Sequence, residues 1–319
     1  MKNFTITEND ANQRLDKFLQ KAVPLLPKRL LYKSLRTKRI KLNGKRADIS
    51  TRLSTGDVVS LYLNDEFFSP DKAAYDFLSA PPDLSILYED ENILLINKPA
   101  GLCVHEDNEH SPDTLIRRIQ HYLYQKGEFS PEKENSFTPS LCNRIDRNTS
   151  GIVIAAKNAE SLRILNECIK ARELKKFYLC VVTGILSPKE ATLKAFLLRR
   201  PNESLVRVFD SPKPDARTIL TKYKALSYSK KNTLAEVELL TGRTHQIRAH
   251  FAHIGHPLLG DGKYGDNTVN RRYGQKYQLL CSYKLIFAFS GTNHLLGYLN
   301  GRAFTVPNVW FKDRFSELF

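Results

Sequence analysis

The sequence predicts an α+β protein, in which a mixed, largely antiparallel sheet domain follows a small, basic α/β module. Three observations support this prediction. Short apolar runs of strand length dominate the chain and alternate with helical segments. No repeat of roughly 20 to 50 residues is present, which excludes solenoids and propellers. The 319 residues are enough for two domains, and the charge changes sign near residue 65.

Composition indicates a folded protein of the cell interior. Hydrophobic residues make up 41% of the chain and charged residues 26%, so we expect a packed core. No apolar run approaches the ~18 residues of a membrane helix, and the first residues lack the apolar segment of a secretory signal. We therefore expect a cytoplasmic protein with no membrane partner. The five cysteines are widely spaced, so neither a disulfide framework nor a zinc site is expected.

The net charge of +15 is unevenly distributed along the chain. Residues 1–64 hold 14 Lys and Arg against 5 Asp and Glu. Residues 65–84 carry a net charge of −4, contain three prolines and show little periodicity, as is typical of a linker. We therefore expect a module over residues 1–64, a linker over 65–84 and a large domain over 85–319. The basic excess favours a polyanionic partner, nucleic acid first.

The N-terminal module is expected to contain two helices and a hairpin. Apolar residues at helical spacing from Leu15 to Ala22 predict a helix that begins near Asp10 to Asn12. A second helix is expected over Lys28 to Arg36, followed by a hairpin turn at Asn43-Gly44 and a closing strand from Val58 to Leu63. The alternative to phosphate binding is an ordinary solvated basic face. The candidate phosphate contacts are Arg14, Lys17, Arg29, Lys33, Arg36, Arg39, Lys41 and Lys45.

The large domain is expected to begin with a hairpin. Apolar strands at Ile86–Tyr88 and Ile93–Ile96 flank an acidic turn, and Asn97–Gly101 ends the second strand. A strand at Ile152–Ala156 precedes a helix capped by Asn158, which is expected to run to about residue 172. Further strands are expected at Phe177–Val182, Thr218–Tyr228 and Ala235–Leu240.

A polar loop over residues 143–151 directly precedes the strand at Ile152. Asp146 lies between Arg144 and Arg147, and neighbouring guanidinium groups keep such a carboxylate ionised at neutral pH. A salt-bridged surface turn is an equally good interpretation of this loop. A kinase catalytic loop is excluded because the sequence has neither a GxGxxG nor a DFG motif.

A second polar run covers residues 241–251. Thr244 is expected to cap a helix that ends at Gly255, and His245 and Arg248 share one face of it. Histidines in this region suggest a metal site, but they have no HExxH glutamate and no Cys partner. We therefore expect hydrogen-bonded structural histidines and no metal. These histidines are His245, His250, His253 and His256.

A third cluster, Lys175-Lys176-Phe177-Tyr178, lies where a helix gives way to a strand. An aromatic side chain beside lysines can stack on a nucleic-acid base. Taken alone, Tyr178 is better explained as a core residue.

Together these runs resemble the RluA-type pseudouridine synthase family over about Ser85 to Pro307. The N-terminal module resembles the small αL-type RNA-binding domain of a ribosomal protein over about Gln13 to Tyr62. The matching runs of the large domain are Arg144–Lys157, Tyr178, Gly242–His250, Gly255–Asp261, and Tyr88–Asp90 with Asn97–Gly101.

The resemblance implies an enzyme that converts specific uridines of RNA to pseudouridine. It implies that Asp146 is the catalytic carboxylate, that Tyr178 packs against the target base and assists proton handling, and that Arg248 holds Asp146 ionised. It also implies a flipped-out target base, whose place in the stack Arg147 fills. Large-subunit ribosomal RNA is favoured over transfer RNA, with no cofactor, and we expect a monomer. Substrate contacts are expected from Arg144, Arg147, Thr149, Arg243, His245 and Gln246.

One position departs from the family pattern, and two other functions stay open. The family signature commonly begins with His where this chain has Asn143, so an altered environment of the site is expected. A non-catalytic RNA-binding assembly factor is one alternative function. The other is nucleoside or glycoside hydrolysis, which needs a second carboxylate near Asp146. The candidate is Asp261, which we interpret as a turn residue.

Overall fold

The computed structural model describes residues 1–68, 72–106, 111–201 and 203–318. It contains two sheets, each with its own hydrophobic core. Within the described ranges, no helix is both long and apolar enough to cross a membrane. The structure confirms the α+β class, since a large sheet and separate helices form the main part of the chain.

The N-terminal part packs two helices on a three-stranded antiparallel sheet of order β1-β3-β2. Asn43 and Gly44 both have positive φ and join Leu42 to Lys45 in a tight turn, as predicted. The first helix begins later than predicted, at Leu15, because Asn12 has a left-handed backbone with φ 63°. The elements are β1 (Lys2–Thr5), α1 (Leu15–Ala22), α2 (Lys28–Arg36), β2 (Ile40–Leu42) and β3 (Val58–Leu61).

The rest of the chain forms one 11-stranded sheet with helices around it. Its strands are β4 (Ile86–Glu89), β5 (Ile93–Lys98), β6 (Ser140–Leu141), β7 (Ser150–Ala156), β8 (Leu174–Thr183), β9 (Glu190–Leu198), β10 (Arg207–Phe209), β11 (Arg217–Tyr228), β12 (Asn232–Leu239), β13 (Leu280–Phe287) and β14 (Ala303–Thr305). Its helices are α3 (Leu115–Gln125), α4 (Ala159–Ala171), α5 (Gln246–His253), α6 (Asn267–Arg272), α7 (Trp310–Asp313) and α8 (Phe315–Leu318).

The strand order explains both the predicted antiparallel character and its one exception. The order is β10-β9-β11-β12-β8-β13-β7-β5-β4, with β14 on β13 and β6 on β7. Neighbours are antiparallel except β13 and β7, which are parallel. The predicted hairpin of β4 and β5 is present, and Asn158 caps α4 by accepting a hydrogen bond from the Ser161 amide.

The central strands are buried on both faces, which explains their continuous apolar runs. Successive residues alternate between two cores, as at Val153 and Ile154 in β7 and at Cys180 and Val181 in β8. Tyr178 belongs to the same core as Val153, and that face also holds the apolar side of α5.

Aromatic residues on either side of residues 69–71 pack against the cores of the two sheets. Two 3-10 helices cover Asp65–Phe68 and Lys72–Ser79. Phe68 packs against the N-terminal core, and Phe77 is 4% exposed within the core of the large domain beside α3. The region predicted to be a linker, residues 65–84, therefore contributes aromatic side chains to both cores. Pro70 lies outside the described residues.

Candidate active site

The loop between β6 and β7 carries Asp146 and is held by the end of β5. The Thr149 amide donates to the Asp146 carbonyl over 3.0 Å, which closes a turn. The Arg147 carbonyl accepts from the Gly101 amide at 2.9 Å and from Lys98 Nζ at 2.8 Å. The Asp146 side chain is 25% exposed, so the loop presents a carboxylate to solvent from a fixed backbone.

Gly151 allows the strand after this loop to approach β13 closely. Its φ is +110°, and a Cβ here would lie 2.3 Å from the Ser282 carbonyl oxygen. Ser282 also lies opposite Tyr178 in the pairing of β13 with β8. Gly151, Ser282 and Tyr178 therefore lie side by side on the three adjacent strands β7, β13 and β8. This row places Tyr178 near the loop that carries Asp146.

Arg248 joins two carboxylates at the centre of the site. Its Nη1 lies 2.7 Å from Asp146 Oδ2, while Nε and Nη2 bind Asp261 at 2.6 and 2.8 Å. Asp261 is fully buried and also accepts from the Lys263 and Tyr264 amides. Burial opposes ionisation of Asp261, but the bonds and charge of Arg248 outweigh it and lower the pKa of Asp261. Asp261 is thus a turn residue, as predicted, and in addition an ionised anchor for Arg248.

Tyr178 is a neutral phenol close to this carboxylate. Burial raises the pKa of Tyr178 to about 12, and the negative charge of Asp146 raises it as well, while a hydrogen bond with Ser282 partly opposes both. The side chain is 6% exposed. The structure therefore brings Tyr178, Asp146 and Arg248 to one place, as the sequence predicted.

His245 lies beside the Asp146 oxygen that Arg248 leaves free. Its Nε2 is 3.9 Å from Asp146 Oδ1, and its Nδ1 is 2.9 Å from the hydroxyl of Tyr264. That hydroxyl also accepts from the Val206 amide at 2.9 Å, so Tyr264 links His245 to the strand region around Val206. Burial lowers the pKa of His245, which favours the neutral form.

His245 is also where the predicted helix start was wrong. Thr244 does not cap α5; His245 occupies the N-cap position with φ 55° and no side-chain cap. Thr244 Oγ1 instead accepts from Arg199 at 3.2 Å. The left-handed backbone turns the His245 ring towards Asp146 rather than along the helix.

The other predicted substrate contacts fall into two groups. Arg144 and Arg243 are exposed, and half-buried Arg147 donates from Nε to the Cys103 sulfur over 2.9 Å. Thr149 is buried and accepts from Gln278. Gln246 is 2% exposed and its amide is hydrogen-bonded within the protein, and its contact with substrate stays a prediction. Its partners are the Thr241 hydroxyl, the Arg243 amide, the Leu220 carbonyl and the Thr221 hydroxyl.

The remaining histidines of this region have separate partners. His250 binds the Thr221 hydroxyl at 2.9 Å, His253 binds Asp210 and His256 lies 2.9 Å from the Thr183 carbonyl. These bonds confirm the prediction of structural histidines. Across the described ranges, no cluster of His, Cys, Asp and Glu has the arrangement of a metal site.

The basic residues of the N-terminal module lie mostly in solvent. Arg29, Lys33 and Arg36 are exposed at i, i+4 and i+7 on α2, so they share one side of the helix. Lys41 is half-buried over the Tyr62 ring, and Arg14 pairs with Asp16 at 3.0 Å. The exposed members that make no described ion pair are Lys17, Arg29, Lys33, Arg36, Arg39 and Lys45.

Two family models match the chain. The S4 domain matches residues 13–59, and the model described as RNA pseudouridylate synthase matches residues 92–253, about half of the chain. The chain belongs to the RNA pseudouridylate synthase family. The second match contains Asp146, Tyr178, His245 and Arg248, and the S4 match contains both N-terminal helices.

Several curated relatives align with most of the length of this chain. An uncharacterized RNA pseudouridine synthase of Mycoplasma genitalium is 35% identical over 89% of this chain and 88% of its own. Ribosomal large subunit pseudouridine synthase C of Escherichia coli is 31% identical over 97% and 90%. Human RNA pseudouridylate synthase domain containing 1 is similar in structure, with a TM-score of 0.56 and 20% identity over 75% of this chain and 86% of that one, which supports the fold.

Asn143, the departure from the family pattern, has a structural partner. Its Oδ1 accepts a hydrogen bond from the Ile154 amide at 2.8 Å. The amide of the preceding residue, Cys142, donates to the carbonyl of the same Ile154. The side chain thus continues the pairing of β6 with β7 for one more residue. Asn143 fixes the point at which the Asp146 loop leaves the sheet.

Lys98 is a site residue that sequence reasoning missed. It is fully buried, and its Nζ donates to the Pro99, Leu102 and Arg147 carbonyls, each at 2.8 Å. Three acceptors match the three protons of an ammonium group, and burial of that charge lowers the pKa of Lys98 to about 7. The sequence signal was a lysine ending an apolar strand, at a position that a core residue would occupy.

Replacement of Lys98 by Met is expected to destabilise the protein and to change its pH dependence. The loss of three donors costs about 1–3 kcal/mol at pH 7. The folded pKa of about 7 lies below the ~10.4 of an unfolded lysine, so the unfolded chain binds more protons between them. The free energy of unfolding of wild type therefore rises from pH 7 towards 10. Urea unfolding across this range should show a smaller rise in Lys98→Met; equal slopes contradict the prediction.

Proposed function

We propose that this family member isomerises uridines of large-subunit ribosomal RNA to pseudouridine, with Asp146 as the catalytic carboxylate. The observation that carries the proposal is that the two carboxylate oxygens of Asp146 have different surroundings: Arg248 Nη1 binds Oδ2 at 2.7 Å, while Oδ1 lies 3.9 Å from His245 Nε2 on a side chain that is 25% exposed. An oriented carboxylate with one oxygen left for the substrate is what reaction at a ribose carbon requires.

The reaction exchanges one bond of the base for another. The bond from ribose C1′ to uracil N1 breaks, the base turns, and C1′ bonds to C5; C5 then loses its proton to solvent and N1 takes one up, so that the product is an isomer of uridine. Asp146 acts at the ribose, by attack or by assisting departure of uracil. In both cases Arg248 keeps the carboxylate aimed, since Asp261 holds its other edge at 2.6 and 2.8 Å.

Neighbouring groups supply contacts for a flipped-out base. Tyr178, neutral because burial raises its pKa to about 12, packs against the base and exchanges hydrogen bonds rather than acting as a phenolate. His245 Nε2 lies 3.9 Å from Oδ1, where the ring can form a hydrogen bond with the bound nucleotide. Arg144 and Arg243 contact phosphates, and Arg147 enters the stack that the base leaves.

Hydrolysis would need a second carboxylate near Asp146, and Asp261 is not placed to serve as one. Asp261 is fully buried, and both of its oxygens are bound to Arg248. It has no path to a water molecule or a leaving group at Asp146 Oδ1. Isomerisation needs only one carboxylate, so the geometry favours it.

The choice of ribosomal RNA draws on the relatives. Several that cover most of this chain are named ribosomal large subunit pseudouridine synthase C. The test uses unmodified large-subunit ribosomal RNA and transfer RNA transcripts that carry tritium at C5 of uridine. Release of tritium from the ribosomal RNA, without free uracil, is expected. Release from transfer RNA alone contradicts the proposal that ribosomal RNA is the substrate. Release from neither RNA contradicts the proposed activity itself.

Removal of positive charge from α2 is expected to weaken RNA binding and to flatten its salt dependence. The triple variant Arg29→Gln, Lys33→Gln and Arg36→Gln leaves the buried face of the helix intact. Each phosphate that the variant no longer neutralises should reduce the slope of log K against log salt by about 0.9. Filter binding at several salt concentrations measures it. The matched control replaces the exposed lysines 189, 230 and 231 by Gln; an equal slope in the two triple variants contradicts an RNA-binding role of α2.

A further inference from the structure

The N-terminal module is joined to the large domain by a cluster of hydrogen bonds centred on Asp10. Asp10 is fully buried, although it lies in a loop. One carboxylate oxygen accepts from the Ser136 hydroxyl at 2.6 Å, and the other accepts from Asn135 Nδ2 at 2.7 Å and from the Thr7 hydroxyl at 2.9 Å. The loop before β6 thus supplies donors to a carboxylate of the other domain.

Further bonds surround Asp10 and fix the module in rotation as well as position. Asn9 donates to Glu134 at 2.8 Å and accepts from the Ala159 amide, the first residue of α4, at 3.0 Å. Gln13 donates to the Ser136 hydroxyl at 2.9 Å, and Arg163 donates to the Ala11 carbonyl at 3.2 Å. We call residues 9–13 and 134–136 the clasp.

The clasp consists of hydrogen bonds, whose geometry depends on direction as well as on distance. In the part of the chain that the structure describes, the core of the N-terminal module and the cores of the large domain are separate clusters, so polar contacts rather than a shared core join the domains. Interfaces of this kind usually permit relative motion of domains. Here the hydrogen bonds specify one orientation, because a rotation removes the Asn135 and Ser136 donors from the buried Asp10 carboxylate and leaves it only its local bonds with Thr7. Phe68 and Tyr75, seven positions apart in the sequence, pack on the N-terminal core and on the core of the large domain respectively, which limits how far the domains can separate.

We infer that the clasp residues are positioning residues of the reaction: they hold the basic module at one distance and angle from Asp146, so that bound RNA presents only particular uridines to the site. The inference rests on the proposed function. A fixed module acts as a second anchor point of known geometry, and such an anchor raises the effective concentration of a matching target. Targets at another distance gain nothing from it.

The test loosens the clasp from the large-domain side, so that the N-terminal core is untouched. The variant is Asn135→Ala with Ser136→Ala. The matched control is Ser130→Ala, whose hydroxyl bonds Glu132 within the same loop. Two substrates are compared: unmodified large-subunit ribosomal RNA, and a short single-stranded oligonucleotide centred on a uridine that wild type modifies.

The clasp variant should lose about 10-fold in kcat/KM on ribosomal RNA and keep wild-type kcat/KM on the oligonucleotide. It should also modify additional uridines. Equal loss on both substrates indicates damage to the catalytic domain and overturns the inference, as does an unchanged rate and pattern on ribosomal RNA.

Hydrogen exchange separates this inference from the proposed function. Amides of residues 9–13 should exchange faster in the clasp variant than in wild type or Ser130→Ala. If wild type forms no pseudouridine, the proposed function fails, yet the exchange rates still decide whether the clasp holds the module. Identical exchange in the three proteins contradicts the clasp.

Discussion

Replacement of Asp146 by Asn is expected to reduce pseudouridine formation at least ~10³-fold, with little change in folding or RNA binding. Asn has the same shape but no negative charge to act at the ribose. Arg248 keeps its two bonds to Asp261, so no buried charge is left unpaired. Tritium release from C5-labelled RNA measures the loss, and filter binding measures the retained affinity.

A second acid controls for the general effect of removing a charge. Asp113 also pairs with an arginine, Arg118, at 2.6 Å, but lies at the start of α3 and outside the site. Asp113→Asn should keep wild-type activity. Near-normal activity of Asp146→Asn would show that another group acts at the ribose.

Replacement of Arg248 by Met is expected to lower the free energy of unfolding by about 3–5 kcal/mol. Arg248 is 5% exposed and is the charged partner of Asp261, which is fully buried. The substitution leaves that carboxylate buried with two amide donors but no opposite charge, and it removes the partner of Asp146. Urea unfolding and tritium release should therefore both show large decreases.

A double variant separates the two effects. Arg248→Met with Asp261→Asn removes the uncompensated charge and keeps an acceptor for the Lys263 and Tyr264 amides. It should regain stability but not activity, because Asp146 still has no partner. If the double variant is no more stable than Arg248→Met, the buried charge is not the cause of the instability.

Local patterns predicted those parts of the fold that depend on local interactions. The α2 bounds, the Asn43-Gly44 turn and the Asn158 cap were all confirmed, since each depends on residues a few positions apart. The starts of α1 and α5 were wrong because distant contacts decide them. Asp10 accepts hydrogen bonds from Asn135 and Ser136 and does not begin a helix. Thr244 accepts a hydrogen bond from Arg199 and does not cap α5.

The candidate site shows the same division. Family resemblance singled out Asp146, Tyr178 and Arg248, and the structure brings them together. Asp261, Lys98 and Tyr264 were missed or undervalued, because their roles come from partners that folding brings close. The hydrogen bonds of Gln246 within the protein were not predictable for the same reason, and its substrate contact stays a prediction.

The most direct test of the central claim is a pseudouridine map of large-subunit ribosomal RNA. The RNA comes from cells that lack this protein and from the same cells supplied with wild type or with Asp146→Asn. Wild type should restore pseudouridine at a small set of uridines, and Asp146→Asn should restore none. A map that is the same with and without the protein contradicts the proposed substrate, and restoration by Asp146→Asn contradicts the proposed chemistry.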